Sequence, residues 1–111
     1  IRLVPYRYPR PDMQRMKDLI GHAAAAGVRV VNMSLGSNRE SQWVAFEYAA
    51  LMHPEILFVV SAGNNGRNID LDPVYPASLP LENMLVVRWS FACCHEQALS
   101  VAPSSPFSVC V

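Results

Sequence analysis

Val28-Arg29-Val30-Val31-Asn32-Met33 leads into Ser34-Leu35-Gly36, and nineteen residues from Ser37 to Glu55 separate it from Ile56-Leu57-Phe58-Val59-Val60. Both apolar runs are rich in β-branched residues and show no alternation, as strands in a covered parallel sheet do. Parallel neighbours need a crossover of a dozen or more residues, and the segment between the runs supplies one. Ser37 with Glu40 three residues later forms a capping-box pattern. The helix it starts sets Val44, Tyr48, Leu51 and Met52 on one side, and Pro54 prevents its continuation. Towards the amino end, Asp12 can cap a helix in which Met13, Met16, Ile20, Ala23 and Ala24 share a face. Gly27 supplies its stop. Ile1 to Arg7 reads as a buried strand closed by Tyr8-Pro9-Arg10-Pro11. The order strand, helix, strand, helix, strand predicts an α/β fold: a three-layer parallel sheet joined by right-handed βαβ crossovers.

Beyond Val60 the periodicity stops. Ser61 to Met84 is rich in Gly, Asn, Asp and Pro, and a loop of that length in an α/β unit is usually functional. Leu85 to Trp89 reads as a fourth strand, and Ser90 to Val111 has no periodicity that places it. The 111 residues are 51% hydrophobic and 16% charged, which excludes a disordered tail. Nine basic residues balance nine acidic ones, so no net field favours nucleic acid. Residues 1–29 hold six basic and two acidic groups, scattered over elements rather than clustered, which reads as a solvated face. No run of eighteen apolar residues offers a membrane span. The chain opens with Ile1 and shows no secretory leader in this window. Cys93, Cys94 and Cys110 make an odd count, not a disulfide framework.

Ligands of parallel α/β sheets bind beyond the carboxyl ends of the strands. Ser34-Leu35-Gly36 follows one strand, and Ser61-Ala62-Gly63-Asn64-Asn65-Gly66 follows the next. If these strands are neighbours, both loops open on one edge of the sheet. Gly36, Gly63 and Gly66 would let a ligand approach the main chain. Either segment alone reads first as a simple turn, because Gly and Asn are common turn residues. Their order and their placement at strand ends make the pair more specific.

In that order, Asn32-Met33-Ser34-Leu35-Gly36, Phe58-Val59-Val60-Ser61-Ala62-Gly63-Asn64-Asn65-Gly66 and Tyr75-Pro76-Ala77 resemble the middle of a subtilisin-like serine protease, a subtilase. Ile1-Arg2-Leu3-Val4-Pro5 resembles the strand before these elements. The resemblance covers residues 1–87 and implies a partial subtilisin-like catalytic domain. It implies that Asn64 is the oxyanion-hole asparagine, donating to the oxygen that gains charge during acyl transfer. It implies that Ser34, Leu35 and Gly36 pair with an extended polypeptide substrate as an added strand. It also implies that Ser61, Ala62 and Gly63 wall the pocket for the residue before the cut bond, and that Tyr75-Pro76 is a peptide bond often cis. An extracellular or cell-envelope location, and calcium bound through backbone oxygens near Tyr75-Pro76-Ala77, follow from the resemblance alone.

Three elements of that family are missing from these 111 residues: the Asp at a strand end, the His-Gly motif and the Gly-Thr-Ser helix start. Acyl transfer by a serine needs all three groups within hydrogen-bond reach. His22 with Asp18 reads as a surface pair, and His53 as a helix-end residue. The expectation is therefore a fragment of a serine endopeptidase, inactive alone, whose partner would be an extended polypeptide rather than nucleic acid or membrane. Two alternatives stand beside it: a non-catalytic peptide-binding module and a nucleotide-binding domain. No cofactor is identifiable. Cys93-Cys94-His95 with Cys110 lacks zinc-site spacing, and Asn68, Asp70 and Asp72 lack the Gly and distal Glu of a calcium loop, so they read as a polar turn. After Val87 the sequence departs from the family pattern, so residues 88–111 read as a tail outside the family, such as a reading-frame change produces.

Overall fold

A computed structural model of the chain describes residues 2–7, 13–64, 66, 68–88 and 108–110. Helix α1 spans Met13–Ala25 and buries Met16, Ile20 and Ala23 at four- and three-residue intervals. It ends in a Schellman turn. The Val28 N–H donates to the Ala23 carbonyl, and the Gly27 N–H donates to the Ala24 carbonyl. Gly27 takes φ 78° there, a conformation that side chains resist. The Asp12 cap falls outside the described residues, as do Tyr8–Pro11 and the side chain of Met13.

Strand β1 (Val30–Met33) lies parallel to β2 (Leu57–Ser61), β2 to β3 (Met84–Arg88), and β3 to β4 (Ser108–Cys110), in that spatial order. The chain is thus an α/β protein on a parallel sheet. The register aligns Met33, Val60 and Val86 in one row, and Val31, Phe58 and Met84 in the next. Phe58, Val60, Met84 and Val86 from these rows are buried beneath the helices. The opposite face is only half covered, with Asn32 exposed and Val30 57% exposed. Described helices therefore cover one face, and the expected third layer has no described element. β4 lies in the region whose sequence gave no placement, and Trp89, expected to end the third strand, lies outside the described residues.

Two helical expectations are corrected. A 3₁₀ turn spans Glu40–Trp43 before α2 (Val44–Met52), and no side-chain cap begins it. The Ser37–Glu40 capping box does not form, because the Ser37 hydroxyl accepts from the Trp43 indole at 2.9 Å and its N–H donates to Tyr75. The face of α2 carrying Val44, Tyr48, Leu51 and Met52 is the exposed one. α2 is apolar all round, so periodicity alone could not choose its inner face. Ring packing chooses it: Trp43 meets Phe46 edge-on at 5.6 Å, and Phe46 meets Phe58 of β2 at 5.3 Å. Ala49 and Ala50 are buried in the same core. On the outer side, the Lys17 ammonium of α1 sits 5.2 Å over the Tyr48 ring.

The opening segment is corrected as well. Residues 2–7 are exposed, Leu3 by 87%, and form no strand among the described residues. An apolar run becomes a strand only where a ladder partner and a covering layer meet it, and among the described residues this one has neither. Tyr6 instead stands edge-on to His22 of α1 at 6.1 Å. No ion pair joins His22 to Asp18.

Asn83 closes the amino end of the sheet, a role no sequence pattern announced. Its side-chain amide donates to the carbonyls of Ala50, His53 and Ile56 at 3.0–3.2 Å. The Ala50 and His53 carbonyls already accept the N–H groups of His53 and Ile56, and the Asn83 amide ties both to the Ile56 carbonyl at the end of α2. We predict that Asn83→Ala destabilises the fold by about 1–3 kcal/mol. A urea midpoint equal to that of the unsubstituted chain contradicts this.

Candidate functional site

β1 and β2 are adjacent and parallel, so the loops leaving their carboxyl ends lie side by side. Between them is an open cavity of about 340 Å³. Ser34, Leu35 and Gly36 line one wall, and Ser61, Ala62, Gly63 and Asn64 line the other. All seven residues singled out in the sequence thus border one space. Ser37, Asn38 and Val74 also line it, and no sequence pattern places them at the site. Ser37 and Asn38 continue the loop past the Gly36 motif, and Val74 precedes the Tyr75-Pro76 pair. None of the lining side chains titrates.

Each wall has a local cause. The ladder continues one residue past β2, as the Ala62 N–H donates to the Val87 carbonyl at 2.9 Å, and Ala62 is buried. The Ser61 hydroxyl then accepts from the Gly63 N–H at 3.1 Å, and Gly63 turns the chain at φ 88°. This turn leaves Asn64 exposed, and its side-chain amide bonds to no described residue. Asn65 lies outside the described residues.

The opposite wall is held by the loop carrying Tyr75-Pro76, which is cis. Ser37 and Tyr75 form an antiparallel bridge through two main-chain hydrogen bonds of 2.9 and 2.8 Å. The approach is so close that a Cβ on Gly36 would lie 2.9 Å from the Tyr75 carbonyl oxygen. Gly36 is required here by this contact, whatever a ligand adds.

The other candidates sit elsewhere. Asn68, Asp70 and Asp72 form a polar turn in which the Asn68 Oδ1 accepts from the Asp70 N–H. Near the cis bond, the carbonyls of Val74, Tyr75 and Pro76 accept the N–H groups of Ser78, Ser37 and Leu79. Among the described residues no three His, Cys, Asp or Glu side chains gather to hold a metal. The Cys93, Cys94 and His95 group is outside the described residues. No described helix is long and apolar enough to cross a membrane.

His53 Nδ1 lies 3.1 Å from Glu55 Oε1, before β2 begins. The Glu55 carboxyl is held below its usual range, first by a main-chain hydrogen bond and then by the His53 side chain. Stability from that depressed group is complete above the ordinary carboxylate range and is lost as pH falls through the lowered value.

The model of the subtilase family matches residues 2–106. The chain belongs to the subtilase family, whose members are subtilisin-like serine proteases that hydrolyse polypeptides. The match runs past Val87, where the resemblance read from the sequence ends. No curated protein sequence matches the chain.

Two glycine substitutions separate packing from backbone freedom. Gly36→Ala should cost about 1–3 kcal/mol, because either the ledge or the Tyr75 loop must move. Gly21→Ala, in α1 with nothing within 4 Å of the added carbon, should gain about 0.5–1 kcal/mol. Thermal melts that shift the same way for both variants would refute the close-approach argument.

Proposed function

We propose that this chain carries the substrate-holding wall and the oxyanion-binding amide of a subtilisin-like serine endopeptidase domain. The observation supporting it is the shared cavity of Ser34–Gly36 and Ser61–Asn64 at the carboxyl ends of adjacent parallel strands. In this reading an extended peptide lies along Ser34–Gly36, exchanging main-chain hydrogen bonds as an added strand. The residue before the cut bond enters beside Ser61, Ala62 and Gly63. The scissile carbonyl then faces Asn64, whose amide N–H donates to the oxygen as it becomes negative. A carboxamide suits that task because it donates at every working pH and does not compete as a nucleophile.

The parent reaction is peptide hydrolysis through an acyl-serine, and its three triad groups come from elements absent from these 111 residues. A second reading is a peptide-binding module without chemistry, supported by the same Ser34–Gly36 ledge on the cavity. A chimera distinguishes them: residues 28–87 replace the matching stretch of an active subtilase. Activity should survive, and Asn64→Ala in the chimera should lower kcat by about 10²–10³ with little change in KM, the loss seen in a subtilisin lacking this donor. A folded, active chimera indifferent to Asn64→Ala would remove the oxyanion assignment.

The chain alone should hydrolyse no peptide ester. It should bind an extended peptide with an affinity flat from about pH 5 to 9, since no lining group titrates. Leu35→Pro, which removes a main-chain donor, should abolish that binding. Cleavage blocked by a serine-directed inhibitor, or binding that survives Leu35→Pro, would contradict these expectations.

A further inference from the structure

Ser37 lies next to the three residues read as the peptide ledge and is engaged on every side. Its hydroxyl accepts from the Trp43 indole N–H at 2.9 Å and, at 3.4 Å, from the Arg39 N–H, while donating to Gln42 Oε1 at 3.1 Å. One donor and two acceptor sites are the whole capacity of a serine hydroxyl. Its N–H and carbonyl are both taken by Tyr75. One residue thus joins the strand-end loop to the 3₁₀ turn before α2 and to the loop of the cis bond. Trp43 is itself fixed in the core against Phe46.

We propose that Ser37 is the positioning residue of the Ser34–Gly36 ledge. Its hydroxyl anchors the loop to the buried Trp43 ring, and its main chain presses Gly36 against the Tyr75 carbonyl. The loop is then held in one conformation before any ligand arrives. For peptide capture, a consequence that rests on the ledge reading above, the ordering cost of binding is reduced. Ser37 touches no substrate in this account; it acts through the geometry of residues 34–36.

Hydrogen exchange by NMR tests this without any ligand. In Ser37→Ala, the amides of residue 37 and Tyr75 should exchange roughly tenfold faster, while Phe58 and Val60 in β2 keep their protection. Ser37→Thr should restore the slow rates. Trp43→Phe, which removes the indole donor but keeps a ring, should reproduce the Ser37→Ala pattern and serves as the test if Ser37→Ala does not fold. Equal rates at residue 37 and Tyr75 in variant and unsubstituted chain, or equal acceleration in β2, would overturn the positioning role. Peptide affinity should fall about tenfold in Ser37→Ala and return in Ser37→Thr, and an unchanged affinity would also overturn it. An unsubstituted chain that binds no peptide, yet shows the expected exchange pattern, would remove the peptide reading and leave Ser37 in its role.

Discussion

Everything at the carboxyl end of the sheet depends on the in-register parallel pairing of Val30–Met33 with Leu57–Val60. Parallel neighbours finish at the same level, so whatever follows them must share one rim. A one-residue slip would turn Phe58 and Val60 away from the helices. Burial of those two side chains therefore fixes the register, and the register fixes the distance between the two loops. The cavity follows from core packing, well before any ligand contact is considered.

The two ends of the sheet do different work. At the amino end, the Asn83 amide gathers three carbonyls from the close of α2 and the approach to β2. At the carboxyl end, hydrogen bonds run within and between loops, and Asn64 is left exposed without a described partner. Buried polar groups are satisfied where the structure must hold, and a donor stays available where a ligand would enter.

Much of this was legible in the sequence. The non-alternating runs around Val31 and Phe58 identified parallel strands, and Gly27 marked a helix end. Small residues after both strands identified the rim, because few other residue types serve there. What stayed hidden involved choices between equal patterns. α2 offered two apolar faces, and only the aromatic contact with Phe58 selected one. Ser37 matched a capping box, yet the indole of Trp43 claimed its hydroxyl, a contact made by tertiary packing. The opening run Leu3-Val4 was apolar enough for a strand, but apolar character does not supply a ladder partner. Gly36 was assigned to ligand approach, while a neighbouring carbonyl already accounts for it.

The perpendicular rings of Trp43, Phe46 and Phe58 join the α2 region to the sheet in one asymmetric array. Aromatic chromophores held at fixed mutual angles give strong near-ultraviolet circular dichroism, which vanishes when they tumble while far-ultraviolet signal persists. This protein therefore carries an optical signature of its helix–sheet seam, by which a loosened, molten form can be told from the native one without any label.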